Sequence, residues 1–235
     1  MTDRKGLTIS AFFPAYNDEV TIQSMVLETD HILGRLCDEH EVIVINDASR
    51  DRTGEILDRL AAELPRLRVI HHARNRGYGG ALISGMKAAT KEWIFYTDGD
   101  GQYDVKELEK LVAHVGEADF ITGYKIARSD SLFRIVVGKA YHWLNKTIFG
   151  LKVRDVDCDF RLMRRTLIQQ LQFKTETGFF PVEMVRTIQD NGLRIREVPV
   201  HHYYRKAKGS QFLNVRNVSK VILAMRAFWN DLHAR

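Results

Sequence analysis

"WIFYTDGDGQYD", residues 93–104, runs five residues that read as a buried strand, Trp93 to Thr97, straight into two aspartates separated by one glycine, with a glutamine two positions on. Aromatic and β-branched residues suit a pleated, half-buried surface. The segments upstream and downstream alternate in the same way. β-rich runs, "LTISAFF", "EVIVIN", "LRVIHH", "WIFYT" and "ADFIT", are interleaved with segments of helical period at 19–36, 53–64, 80–90 and 105–115. That alternation predicts an α/β fold, a mostly parallel central sheet with helices on both faces. Ligands of such sheets bind beyond the carboxyl ends of the strands. The two aspartates sit at such an end, as do "PAYNDE" after the first strand and "NDASRDRTG" after the second, so three polar loops converge on one edge.

With 235 residues and 45% hydrophobic content, the chain can bury a sizeable core as one large domain, or as a domain with a small appendage. Cys37 and Cys158 form no CxxC pair, which argues against a disulfide framework or zinc ribbon and for a reducing, cytoplasmic setting. The N-terminus lacks the apolar core of a signal peptide and no run of eighteen apolar residues occurs, so no transmembrane segment is expected. The net charge of +5 is uneven: from Arg194 onward nine Lys or Arg face Glu197 and Asp231, a formal +7, which leaves −2 for residues 1–193. An anion would meet the basic end. Nucleic acid, an anionic membrane and a phosphorylated substrate all satisfy that charge.

The second half is less regular. Residues 131–151 are apolar but carry Arg134, Lys139, His142 and Lys146, which predicts an amphipathic helix or helix pair. A short strand near "CDFRLM", a helix over 180–191, a strand "LRIREVPV" and a basic loop "HHYYRKAKGSQF" follow. The last helix, 212–235, spaces Val215, Val218, Ile222, Met225, Trp229 and Leu232 at three- and four-residue steps after a domain over 1–211. That seam suits either a partner helix or packing back on its own domain.

In "DGDGQ", Asp98, Asp100 and Gln102 offer side-chain oxygens on alternate positions, the donor type that Mg²⁺ and Mn²⁺ prefer. An Asp-Gly hairpin turn gives the same pattern. Asp104 and Glu107 form a D-x-x-E capping box, which assigns Asp104 to the next helix. "NRGYGGALISGMKAA" fails as a P-loop, because Met86 precedes Lys87 and no Ser or Thr follows, and fails as a dinucleotide fingerprint at Leu82. It reads instead as a helix entry allowing close backbone approach, with Arg74 or Arg76 available to a ligand. His71, His72, His201 and His202 lack zinc spacing, and Cys158, flanked by acids, reads as buried. Tyr203 and Tyr204 beside Arg205 offer stacking surfaces, but no nucleic-acid-binding signature accompanies them.

Together "FPAYNDE", "VIVINDASRDRTG", "NRGYGGALISGMKAA", "DGDGQ", "TGYK", "DVDCDFRLMRR" and "EVPVHHYYRKAKGSQF" span nearly the whole chain. In this order they resemble the inverting family 2 glycosyltransferases of the GT-A fold, within them the dolichol-phosphate mannosyltransferase-like branch that glycosylates polyprenyl phosphates. The resemblance implies that Pro14, Tyr16, Glu19, Asp47 and Asp98 hold the nucleotide-sugar, and that Asp98, Asp100 and Gln102 bind the divalent metal. It also implies that Asp157, Arg161 and Arg205 are catalytic and that Lys125, Arg205 and Ser210 face the acceptor phosphate. Asn46 replaces the first acid of the family's Asp-Asp pair, and Asp159 stands where glycine is common. The expected activity is metal-dependent hexosyl transfer, mannose or glucose, from GDP-mannose or UDP-glucose to a polyprenyl phosphate at the cytoplasmic membrane face. The C-terminal helix would there contact lipid, a membrane partner or a second copy, and no nucleic acid is expected. A soluble or cell-wall saccharide acceptor, with Asp157 or Glu183 as base, and a catalytically silent scaffold that binds a membrane enzyme are the other two readings.

Overall fold

The computed structural model describes residues 6–128, 143–203 and 215–234. β1 (Thr8–Ala15), α1 (Ile22–Leu36), β2 (Glu39–Asn46), α2 (Thr53–Glu63), β3 (Leu67–His71), α3 (Gly77–Ala88) and β4 (Trp93–Thr97) alternate as the hydrophobic pattern predicts. A 3₁₀ turn, Val105–Glu107, leads into α4 (Leu108–Val112) and β5 (Phe120–Arg128). A helix described over 143–149, α5, precedes β6 (Phe160–Arg164), α6 (Arg165–Ile168), α7 (Phe180–Asp190), β7 (Ile195–His202) and α8 (Val215–His233).

The seven strands form one sheet in the order β3-β2-β1-β4-β6-β5-β7. β1 pairs in parallel with both β2 and β4, β2 with β3, and β5 with β7, while β6 is antiparallel to its neighbours β4 and β5. Two consequences set the site. The chain winds outward from β1 to β3 and returns to β4 on the other side of β1, which opens a crevice at the carboxyl ends of β1 and β4. The reversal of β6 pairs Thr97 with Phe160 and so delivers residues 155–159, which precede β6, to that same edge.

Period-2 alternation distributes the strand side chains between two cores. Ile9, Ala11, Phe13, Val42, Val44, Trp93 and Phe95 pack on the α1, α2 and α4 side, while Phe12, Ile43, Ile45, Ile94 and Tyr96 pack with α3, α5 and α7. Fully burying a side chain of this size contributes about 1.5–3 kcal/mol. α3 approaches its neighbours closely because it carries no Cβ at Gly79, where one would lie 2.4 Å from the Thr175 carbonyl oxygen. The backbone approach expected of the glycine-rich segment is therefore made to residues 175–176.

Two local expectations change. Asp104 does cap the 3₁₀ turn, accepting from the Lys106 N–H at 3.0 Å, but Glu107 turns away from it. Its carboxylate accepts from the His201 N–H at 3.0 Å and pairs with Lys110 at 3.0 Å, so it ties the helix to β7 and does not complete a box. The α8 seam also divides. Met225 and Leu232 join Val221, Ala224 and Phe228 against the α3–α5–α7 core, whereas Val218, Ile222 and Trp229 are exposed. α8 thus packs on its own domain with part of the predicted stripe left outside.

Candidate active site

The first loop of the crevice turns at Asn17, which has a positive φ of 59°. Asp18 fixes it: the carboxylate accepts from the Tyr16 N–H at 2.9 Å and its own N–H donates to Thr53 Oγ1 at 2.9 Å. Thr21 Oγ1 donates to the Gly99 carbonyl at 2.8 Å and so fastens this loop to "DGDGQ". In that second loop Gly101 takes a φ of 73°, and Asp100 accepts from the Gln102 N–H at 3.1 Å. Asp98 accepts from the Tyr78 hydroxyl at 2.8 Å. Gln102 Nε2 donates to the Tyr203 carbonyl at 3.1 Å, which assigns the amide's orientation and leaves Oε1 as its acceptor atom.

The third loop, 155–159, is held from below and from the side. Arg161 is fully buried, donates from Nε to the Cys158 carbonyl at 2.9 Å and from a terminal nitrogen to the Val156 carbonyl at 2.5 Å, and lies 3.9 Å from Asp159. Lys125 Nζ donates to the Asp157 carbonyl at 2.6 Å and lies 3.7 Å from Asp155. Asp159 accepts from the Tyr96 hydroxyl at 3.1 Å. Tyr96 and Tyr78 are thus the neutral donors that face the carboxylates of β6 and β4.

Negative charge dominates. Asp18, Asp98, Asp100, Asp155, Asp157 and Asp159 stand against Lys125 and Arg161. Burial, followed by the charges of Asp159 and Asp100, pushes the Asp98 carboxyl well above its ordinary range, and the Tyr78 hydrogen bond offsets only part of this. Burial also raises Asp157 to about 6, opposed by Lys125 and reinforced by Asp155 and Asp159. Hard oxygens crowded by like charge fit a divalent cation. Among the described residues no three His, Cys, Asp or Glu side chains enclose a metal by themselves. Two carboxylates and an amide oxygen leave coordination positions for diphosphate and water, the usual arrangement for Mg²⁺.

The remaining expected site residues fall into other places. Asp47 is 3% exposed and both its oxygens are engaged, one by His72 Nδ1 at 2.6 Å and the Arg76 N–H at 2.8 Å, the other by the Gly77 N–H at 2.9 Å. It anchors the start of α3. Glu19 accepts from the Arg52 N–H at 3.0 Å, and Pro14 and Tyr16 stay half-buried along the crevice. Arg161 reaches no open surface, so its geometry is that of a positioning residue and not of a group that touches substrate. Glu183, one of two candidate bases, is spent on the Lys174 and Thr175 N–H groups at 2.8 Å each. Arg76 pairs with Glu176, whereas Arg74 is exposed. Arg205 and Ser210 lie outside the described residues.

The model of Glycosyl transferase family 2 matches residues 10–172, which include all three loops. The chain belongs to that family. AglD of Haloferax volcanii is 35% identical over 83% of this chain, which spans 33% of AglD's length. An undecaprenyl-phosphate mannosyltransferase of Micrococcus luteus is 28% identical over 97% of this chain and 99% of its own. A dolichyl-phosphate β-glucosyltransferase of Trichomonas vaginalis is 30% identical over 80% of this chain and 61% of its own. Among solved structures, glucosyl-3-phosphoglycerate synthase of Mycobacterium tuberculosis with Mn²⁺ and UDP-glucose superposes with a TM-score of 0.69 at 22% identity, covering 93% of this chain and 79% of that one. This likeness shows the fold, as the motifs led us to expect.

Tyr78, Tyr96 and Asp155 are absent from the sequence-derived set of family 2 residues. A signal existed for Tyr96: a tyrosine inside an otherwise apolar buried strand needs a partner for its hydroxyl, but that partner, Asp159, is sixty-three residues away and is brought in only by the β4–β6 pairing. For Asp155 only the pairing of Lys125 across β5 reveals the role.

Proposed function

We propose that this family 2 enzyme transfers a hexose, mannose or glucose, from a GDP- or UDP-sugar to a polyprenyl phosphate, with inversion, at the cytoplasmic membrane face. The observation that carries the reading is the carboxylate cluster of Asp98, Asp100 and Asp159 at the carboxyl end of β4 and the start of β6, in a chain whose relatives include enzymes named for undecaprenyl and dolichyl phosphate. Asp98, Asp100 and Gln102 Oε1 would hold Mg²⁺ or Mn²⁺. Such an ion, when bound, neutralises charge on the departing diphosphate.

The chain's own residues do the rest. Pro14 and Tyr16 line the nucleotide side of the crevice, and Asp18 and Asp47 keep their loops in register for it. Tyr78 and Tyr96 hold Asp98 and Asp159 in orientation. Lys125 holds the Asp157 carbonyl and Arg161 the flanking Val156 and Cys158 carbonyls, which fixes the loop that would present the Asp157 side chain to the sugar. An acceptor phosphate oxygen attacks that carbon as its bond to the diphosphate oxygen breaks, and the bonding pair leaves with the nucleotide. A phosphate is already anionic near neutral pH, so no base is required; Arg205 and Ser210 are assigned to hold it.

The raised Asp157 carboxyl, at about 6, favours a second reading in which a saccharide hydroxyl is the acceptor and Asp157 removes its proton. The test is incubation with Mn²⁺, labelled GDP-mannose or UDP-glucose and a short-chain polyprenyl phosphate, followed by solvent extraction. Label in the organic phase is expected. Label confined to aqueous saccharide, with an acid limb near pH 6 in kcat/KM that Asp157→Asn removes, would replace the first reading by the second.

A further inference from the structure

The run "DVDCDF", residues 155–160, alternates in burial: Val156, Cys158 and Phe160 are fully buried, whereas Asp155, Asp157 and Asp159 stay partly exposed. Its apolar side anchors the run and its acidic side remains reachable. Most acids of the crevice are nevertheless spent on the backbone. Asp18 accepts from the Tyr16 N–H, Asp100 from the Gln102 N–H, and Asp155 from the Lys125 and Asp157 N–H groups. Asp159 differs. Its hydrogen bonds come from the hydroxyls of Tyr96, at 3.1 Å, and Tyr78, and no backbone N–H donates to its side chain among the described residues. Arg161 does not occupy it either: that guanidinium lies 3.9 Å away, beyond a hydrogen bond, and donates to the Val156 and Cys158 carbonyls. A carboxylate offers about four acceptor positions, so two hydroxyls leave capacity for a further donor. The side chain is 14% exposed, and the antiparallel pairing of Thr97 with Phe160 sets it opposite Asp98.

We propose that Asp159 is a specificity-determining residue that accepts a hydrogen bond from a hydroxyl of the donor's hexose. Charge selects this ligand among those that share the crevice. Asp159 is the neighbouring charge that weighs most on Asp98. An anion placed beside this pair, whether the acceptor phosphate or the diphosphate, would be repelled. A neutral polyol donates its O–H groups to a carboxylate without that cost, and such charge-assisted bonds are strong. A second cation has no comparable cradle, since no three His, Cys, Asp or Glu side chains enclose one among the described residues. The hexose is bonded directly to the diphosphate, so a donor whose diphosphate lies at Asp98 and Asp100 carries its ring to their neighbours. Tyr78, which bonds to both Asp98 and Asp159, ties the two positions together. A site built to bond a substrate hydroxyl rejects the analogue that lacks it, because its own polar group is then left unpaired. The inference deepens the hexosyl-transfer reading and rests on it for the identity of the ligand.

The test pairs changes in the substrate with changes in the protein. Calorimetry with Mn²⁺ and no acceptor gives the affinities of GDP-mannose and UDP-glucose, and then of the monodeoxy-hexose analogues of whichever binds more tightly. Transfer of the same donors to a short-chain polyprenyl phosphate gives kcat/KM. The parent should bind one analogue about tenfold to a hundredfold more weakly than the full donor. Asp159→Ala should bind that analogue and the full donor within about threefold of each other, and Asp159→Asn, which keeps the shape and one acceptor oxygen, should fall between. Ratios for the other analogues, and the amount of Mn²⁺ bound per chain, should not change. If Asp159→Ala does not fold, Asp159→Asn carries the comparison, since its ratio for that one analogue must still fall. A uniform loss for every donor would make Asp159 a mere support for Asp98 or Arg161 and overturns the inference. A parent that binds all analogues equally overturns it as well, as does a second Mn²⁺ that the variants lose. Expected ratios in calorimetry without transfer to any polyprenyl phosphate overturn the proposed acceptor and leave this inference standing, whereas binding of neither donor overturns both.

Discussion

Replacing Asp47 by Asn separates two roles for that carboxylate. One oxygen accepts from His72 Nδ1 at 2.6 Å and the Arg76 N–H at 2.8 Å, the other from the Gly77 N–H at 2.9 Å. An asparagine must turn its NH₂ toward one of these donors. The less costly choice is Gly77, because that N–H has a second acceptor in Asn75 Oδ1 at 3.1 Å. The variant then loses one charge-assisted hydrogen bond, about 1.5–3 kcal/mol. It also removes a negative charge from the start of α3, about 0.3–1 kcal/mol. With the Asp47 side chain only 5% exposed, solvent does little to replace either term. The expected loss is roughly 2–4 kcal/mol of unfolding free energy, read from urea denaturation at pH 7, or roughly 4–16 °C in Tm for a chain of this size. Asp47→Ala should lose more, since the His72 and Arg76 donors are then stranded as well. Unchanged stability, within about 0.5 kcal/mol, together with a tenfold weaker nucleotide-sugar affinity would refute this. The carboxylate would then be held for the ligand and not for α3.

Three further outcomes are expected. Asp100→Ala should reduce metal-dependent transfer by at least about a hundredfold, while Tm without metal stays within about 2 °C of the parent; full activity would remove the metal assignment. Arg161→Leu leaves the Val156 and Cys158 carbonyls and Asp159 without their buried cation, and should cost about 3–5 kcal/mol by chemical denaturation; a neutral change would show that Arg161 does not organise loop 155–159. Glu41 is 7% exposed and, although burial alone would raise it, bonds from Ser10, Thr90 and Arg68 hold its carboxyl below the ordinary value of 4.5. Its folded pKa is therefore depressed, and its contribution is present above 4.5 and lost as pH falls through the folded value. The stability gap between the parent and Glu41→Gln should be widest near pH 7 and narrow below pH 4.5; a gap that does not change with pH would contradict the linkage.

What the sequence by itself determined was the alternation of β-rich runs and helical periods from Thr8 to Val112, and hence the sheet, its two covered faces and the edge at which polar loops gather. Those features follow from local periodicity, which is a property of contiguous residues. Motif order likewise points to the family without any tertiary contact. Three things were decided only by tertiary structure. The reversal of β6 is set by pairing between residues more than sixty positions apart, Trp93 to Thr97 with Arg164 to Phe160, and no local pattern encodes strand direction. The division of acidic and basic residues into those that face the crevice and those that build it depends on partners across the sheet: Glu183 and Asp47 read as chemistry in the sequence and are consumed by backbone N–H groups from elsewhere in the chain. The splitting of the α8 seam, finally, depends on where Phe149 and Phe179 meet Phe228. A helix's own spacing shows that it has an apolar side, and the packing against it decides how much of that side remains exposed.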